Sequence, residues 1–214
     1  MSALLDVADL AFVSQKAREL DGISFTLERG KSLCVVGDSG SGKSLLLRLL
    51  CGLERPSEGR ILHDGTDMAR ASEGAWRTLR RRMGVALDGA GLLSNLTLAE
   101  NIVYPLLASG EDSHKRDTSL EFALAYFDLY PWRTAMPQDL SAGLTRRALL
   151  ARATITDPPL LICDNLFAGL HDEARSDICG VLGRAVANRG LALLYTASSD
   201  ADAALLGAAI LRLA

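Results

Sequence analysis

A chain of 214 residues has room for one domain, alone or with a subdomain. Its 49% apolar and 23% charged residues are those of an ordinary globular protein, and a net charge of −3 argues against broad binding to nucleic acid or to an anionic membrane. No apolar run is long enough to cross a bilayer, and Asp6 and Asp9 interrupt the early apolar residues where a signal peptide needs an unbroken stretch. The expectation is a cytosolic chain without direct membrane insertion, tied to any membrane through a partner.

Residues 4–27 alternate roughly in period two and predict two antiparallel strands, with Phe12 and Phe25 as their aromatics. After the turn Glu28-Arg29-Gly30-Lys31, the apolar run Leu33-Cys34-Val35-Val36 feeds Gly37-Asp38-Ser39-Gly40-Ser41-Gly42-Lys43-Ser44. A helix is predicted from Lys43 to about Leu53, with Leu45 in its first turn and Leu46, Leu47, Leu49 and Leu50 on its apolar side. Pro56-Ser57-Glu58-Gly59 is a second turn, and residues 60–63 form a short strand ending at the hairpin signal Asp64-Gly65. Residues 76–82 look helical and basic, and residues 83–87 read as another strand.

The middle third changes character. Residues 98–108, 120–129 and 140–155 carry helical periodicity with no strand pattern between them, which predicts a helical subdomain with a polar surface loop at 110–115. Residues 159–164 return to a buried strand. A helix over 172–188, a strand over 191–196, an alanine-rich helix near 201–207 and a last strand over 209–213 complete the chain. Strands alternating with helices predict an α/β fold with a mostly parallel sheet and helices on both faces. Cys34, Cys51, Cys163 and Cys179 form no C-x-x-C pair and read as buried thiols, and His63, His114 and His171 are too widely spaced to suggest a structural metal site.

The glycine-rich turn fits G-x-x-x-x-G-K-[ST], the phosphate-binding P-loop. Gly37, Gly40 and Gly42 free the backbone to aim N–H groups at an anion, and the helix from Lys43 adds its positive end. Lys43 would reach the outer phosphates and the Ser44 hydroxyl would ligate Mg²⁺. The candidate nucleotide-binding residues are therefore Gly37, Asp38, Ser39, Gly40, Ser41, Gly42, Lys43, Ser44 and Leu45. A phosphate site of this kind needs a carboxylate for the Mg²⁺ shell at the end of a buried strand, and Asp164 stands there. The other reading of Asp164 is a cap on the following turn.

Together these segments resemble the ATP-binding subunit of an ABC transporter over nearly the whole chain. The P-loop at 37–44, the run Asn95 to Ile102, Leu140-Ser141-Ala142-Gly143-Leu144 with the helix after it, and the strand ending at Asp164 carry the resemblance. Their order matches the Walker A, Q-loop, signature and Walker B elements of that family. The resemblance implies a P-loop NTPase core over 1–87 and 156–214, including an N-terminal antiparallel β-subdomain, with a Q-loop and helical insertion over 88–155. It also implies ATP and Mg²⁺ as ligands, a second ABC subunit across the nucleotide, and a membrane permease that docks near the Q-loop and helical insertion. Ser141, Ala142 and Gly143 would serve the partner's nucleotide, and Phe12 is the positional match for an adenine-stacking ring, although a core phenylalanine fits it equally. Gly91-Leu92-Leu93, Asn101 to Leu106 and Arg146-Arg147-Ala148 resemble the ATPases of Mla/MCE-type lipid transporters. The Leu-Ser-Ala-Gly variant is also similar to the ABC subunit of cytochrome c maturation.

The resemblance breaks at positions that would carry chemistry. The Q-loop glutamine falls at Asp88, which joins Ser44 and Asp164 as a candidate metal ligand. Asn165 stands where the family has a catalytic glutamate, Ala197 where it has the switch histidine, and His171 at the D-loop aspartate unless that loop slips to Asp172. Ala142 and Leu144 replace a glycine and a glutamine of the signature. An amide orients water but takes no proton, so the expected function is a nucleotide-binding transporter subunit deficient in hydrolysis at its own site and paired with an active subunit. The alternatives are an active transporter ATPase in which Asp88 compensates, and a nucleotide-gated scaffold with no transport role.

Overall fold

The computed structural model describes residues 3–14, 18–89 and 91–213. Two sheets form among them. β1 (Ala3–Val13), β2 (Arg18–Glu28), β4 (Glu58–His63) and β5 (Thr66–Asp67) make an antiparallel sheet in the order β2-β1-β4-β5. β3 (Ser32–Val36), β6 (Met83–Ala86), β7 (Leu160–Cys163), β8 (Ala192–Ala197) and β9 (Ala209–Arg212) make a second sheet in the order β6-β7-β8-β3-β9, parallel at every pairing.

Every residue of β7 and β8 is buried, as expected for parallel strands covered on both faces. The pleat sends alternate residues to two separate cores. Leu33, Val35, Leu160, Ile162 and Leu194 face a cluster that includes the antiparallel sheet, α1 (Lys43–Leu50) and α2 (Glu73–Arg80). Cys34, Val36, Leu161, Cys163 and Tyr195 face the other, built with α3 (Leu98–Ala108), α4 (Ser113–Tyr126), α5 (Ala142–Thr154), α6 (Asp172–Arg189) and α7 (Asp200–Ala204). At about 1.5–3 kcal/mol per large apolar side chain removed from water, these two layers hold the sheet in place.

Cys34, Cys51 and Cys163 are free and buried, and Cys179 is half-buried. His63 is buried on β4, with Nε2 3.1 Å from the Leu50 carbonyl at the end of α1 and its ring edge-on to Trp76 of α2. The elements differ from expectation mainly at their ends. α1 stops at Leu50 because the chain reverses at Gly52, where a Cβ would lie 2.1 Å from the Trp76 ring. α2 starts earlier than expected, at Glu73, because Ser72 caps it. The second half of the expected loop at 110–115 is helix: Asp112 accepts the Lys115 N–H at 3.0 Å and starts α4 at Ser113, in a polar stretch with no apolar period to announce it. Two one-turn 3₁₀ helices, Tyr130–Trp132 and Pro137–Asp139, lead into α5.

Candidate nucleotide site

Because the pairings are all parallel, the carboxyl ends of β3, β6, β7 and β8 open on one edge of the sheet. The chain leaves β3 at Val36 and enters α1 with Gly42 as N-cap, at φ 88° and with no side-chain cap. The first-turn N–H groups are therefore left for a ligand. A Cβ on Gly42 would lie 2.7 Å from Leu20 Cδ2, and one on Gly37 would lie 2.5 Å from Ser41 Oγ, so the loop closes this tightly only with glycines there. Lys43 folds back across it, donating from Nζ to the carbonyls of Gly37 at 2.5 Å and Asp38 at 2.7 Å.

The loop bounds a recess of about 430 Å³, closed on its far side by Asn165 and Ser198. That wall comes from β7 and β8. Asp164 is buried at 2% exposure, and its Oδ1 accepts the Thr196 hydroxyl at 2.6 Å. The Asn165 N–H donates to the same Thr196 oxygen at 2.7 Å, and Arg146 donates to the Asp164 carbonyl at 3.3 Å. β8 separates β3 from β7, so Thr196 on the intervening strand ties the Asp164 turn to the sheet. Asn165 has φ 48°, a left-handed conformation that asparagine tolerates better than most residues. Its Nδ2 donates to Asp88 Oδ2 at 3.1 Å, and the Gly89 N–H donates to Asp88 Oδ1, also at 3.1 Å.

The structure gives the residues read from sequence different places. Gly37, Asp38, Ser39, Gly40, Gly42, Lys43, Ser44 and Leu45 line the recess with Asn165. Ser41 braces the loop from behind, its hydroxyl buried and without a hydrogen-bond partner among the described residues. Neither Asp88 nor Asp164 is in the recess lining: each Asp88 oxygen accepts one N–H and Asp164 Oδ1 accepts the Thr196 hydroxyl, and with Ser44 on the lining these are the candidate oxygen donors that would hold Mg²⁺. Phe12 packs into the core beside the antiparallel sheet, opposite Leu20, and does not line the recess. Ala197 is buried in the opposite core, and the residue of that segment that reaches the recess is Ser198, which no sequence motif marks. Ser141 caps α5, accepting the Leu144 N–H at 3.3 Å, with Ala142 and Gly143 in its first turn. His171 caps α6 through Nδ1, accepting the Ala174 N–H at 3.4 Å.

A ring of backbone donors, one ammonium and a hydroxyl beside a buried carboxylate suit a polyphosphate with a divalent cation. When bound, Mg²⁺ would supply neutralising charge, and the chain's own part is to fix the phosphates from the loop side and present Asn165 and Ser198 from the other.

The family profile described as ABC transporter matches residues 20–168. The chain belongs to the ABC transporter ATP-binding family. Its relatives include the methionine import ATP-binding proteins MetN of Cutibacterium acnes, 37% identical over 85% of this chain, and of Latilactobacillus sakei, 32% identical over 92%. MetN 2 of Rhodococcus jostii is 34% identical over 82%. The chain spans 50%, 59% and 52% of those relatives in turn, about half their length. The dimeric structure of MJ0796, a bacterial ABC transporter cassette, superposes with a TM-score of 0.87 at 21% identity, covering 98% of this chain and 94% of that one. A post-hydrolysis structure of the same cassette, bound to ADP and Pi, gives the same TM-score. The ABC ATPase fold is thus the architecture of this chain.

Proposed function

We propose that this chain is the ATP-binding subunit of an ABC importer, and that it binds Mg-ATP at the loop from Gly37 to Ser44 and hydrolyses it to drive a membrane permease. The observation that carries this reading is the recess itself. Its loop is fully formed around Lys43, and its far wall is organised by the bonded set Asp164, Thr196 and Asn165. The names of the relatives support import of methionine or a related amino acid as the transport task.

The lipid-transport branch has weaker support, because the relatives named above are methionine import proteins, and two of the residues that suggested it have local structural work. Asn101 is fully buried, donates to the carbonyls of Leu93, Leu96 and Thr97, and accepts the Leu93 N–H. The Gly91 carbonyl accepts Arg152.

A groove of about 720 Å³ between α2, β6 and α3 offers a permease a docking face. Arg77, Arg81 and Arg82 line it and make no ion pair among the described residues, and Leu53 and Tyr104 are exposed beside them. No helix among the described residues is long and apolar enough to cross a membrane, so this reading places the subunit on the cytoplasmic face, paired with a second ABC subunit.

Asn165 and the buried Ala197 favour one other reading, in which the site holds ATP without consuming it and Ser141 and Gly143 complete the site of an active partner. Phosphate release by the purified protein separates the two. Steady release by the wild type that drops to background in Lys43→Ala supports the active importer. ATP binding with no Lys43-dependent release supports the non-hydrolysing subunit.

A further inference from the structure

Asp38, Asp88 and Asp164 are carboxylates at or beside the recess, and their surroundings differ. Asp164 is buried and committed to Thr196, on the side that suits a metal. Asp38 belongs to the loop that wraps the phosphates. Asp88 is exposed, at the end of β6, and joined to the recess wall through the Asn165 amide. Two N–H donors fix its orientation while each oxygen keeps lone-pair capacity for a water. Asn165 lines the recess and cannot accept a proton.

The site therefore holds an acid–amide pair in hydrogen-bond contact, with the amide on the recess side and the acid behind it. We infer that Asp88 is the general base for ATP hydrolysis in this chain and that Asn165 positions it and the attacking water, the two residues dividing work that a carboxylate at position 165 would do alone. This rests on the active-importer reading. In the step, the water oxygen bonds the γ-phosphorus as the bond from that phosphorus to the β,γ-bridging oxygen breaks. ADP leaves with the electron pair, and the proton lost by water passes to an Asp88 oxygen and on to solvent, to which Asp88 is exposed.

The test uses the whole chain as wild type, Asp88→Asn, Asn165→Asp and the double exchange Asp88→Asn/Asn165→Asp. Aspartate tolerates the left-handed conformation of position 165, so the exchange avoids the strain a glutamate would add. Three quantities are read: ATP affinity with Mg²⁺, the urea midpoint, and the identity of the nucleotide that stays bound after gel filtration, alongside turnover. In Asp88→Asn the new amide oxygen keeps the Gly89 N–H and its NH2 donates to Asn165 Oδ1 once the Asn165 amide turns over, so affinity and midpoint should hold while turnover falls about 10²–10⁴-fold, the usual loss for a positioned base. The nucleotide recovered from it should be intact ATP, where the wild type yields ADP. The double exchange should regain turnover, because the carboxylate now stands at the recess wall. Wild-type turnover that survives Asp88→Asn would overturn the inference and leave the importer reading standing. So would loss in Asp88→Asn with a matching fall in affinity or midpoint. Absence of Lys43-dependent turnover in the wild type would overturn both.

Discussion

Thr196 uses one hydroxyl twice, donating to the Asp164 carboxylate at 2.6 Å and accepting the Asn165 N–H at 2.7 Å. Valine has nearly the same shape and neither capacity. Thr196→Val therefore leaves a buried carboxylate oxygen and a backbone N–H without this partner, which costs about 2–3 kcal/mol. Urea unfolding should show a lower midpoint with an unchanged slope, and Thr196→Ser, which keeps the hydroxyl, should recover most of the loss. A Thr196→Val protein as stable as the wild type would mean that the turn after β7 holds itself. The loop from Gly37 to Ser44 was legible in the sequence because all its chemistry sits in one contiguous run. The contact between Asp88 and Asn165 was not, since it joins residues 77 positions apart and no local pattern marks either one as the other's partner.

Among the elements, β4 is fastened to the helices of its core by His63, which meets the last turn of α1 and the Trp76 ring of α2. Burial pushes the imidazole from its ordinary 6.5 down to about 4, against the opposing effect of its bond to the Leu50 carbonyl. The folded state thus keeps His63 neutral while the unfolded chain protonates it below about pH 6.5. The stability this lends is complete above that pH and is lost as the pH falls towards 4, a total of about 3 kcal/mol. Urea titrations across that range should show the decline, and it should flatten in His63→Gln. The existence and order of the strands and helices were legible, because apolar period and glycine punctuation survive at that scale. Helix starts were less so: α4 begins on the Asp112 cap, a signal of one side chain rather than of a pattern. Ala197 and Ser198 show a finer limit. The β-pleat decides which of two neighbours faces the recess, and it turns Ser198 there, a residue that no motif marks.

At the scale of the molecule, one parallel sheet carries the loop, the buried carboxylate and the acid–amide pair on a common edge, and two apolar layers hold that edge in shape. Just beneath the edge, Cys34 and Cys163 sit in one row, each in register with Tyr195 between them. Both are fully buried, and burial lifts their thiols to about 11 and about 12, so neither reacts while the sheet is shut. Their alkylation is then a stopwatch for opening of the sheet. A nucleotide that binds only the closed form slows it by the factor by which it stabilises that form, about 100-fold at a hundredfold excess over Kd. Labelling followed by mass spectrometry should show this slowing at Cys34 and Cys163, while half-buried Cys179 keeps its own faster time. The chain thereby carries its own gauge of how firmly a ligand grips the sheet, readable without a dye and before any phosphate is released.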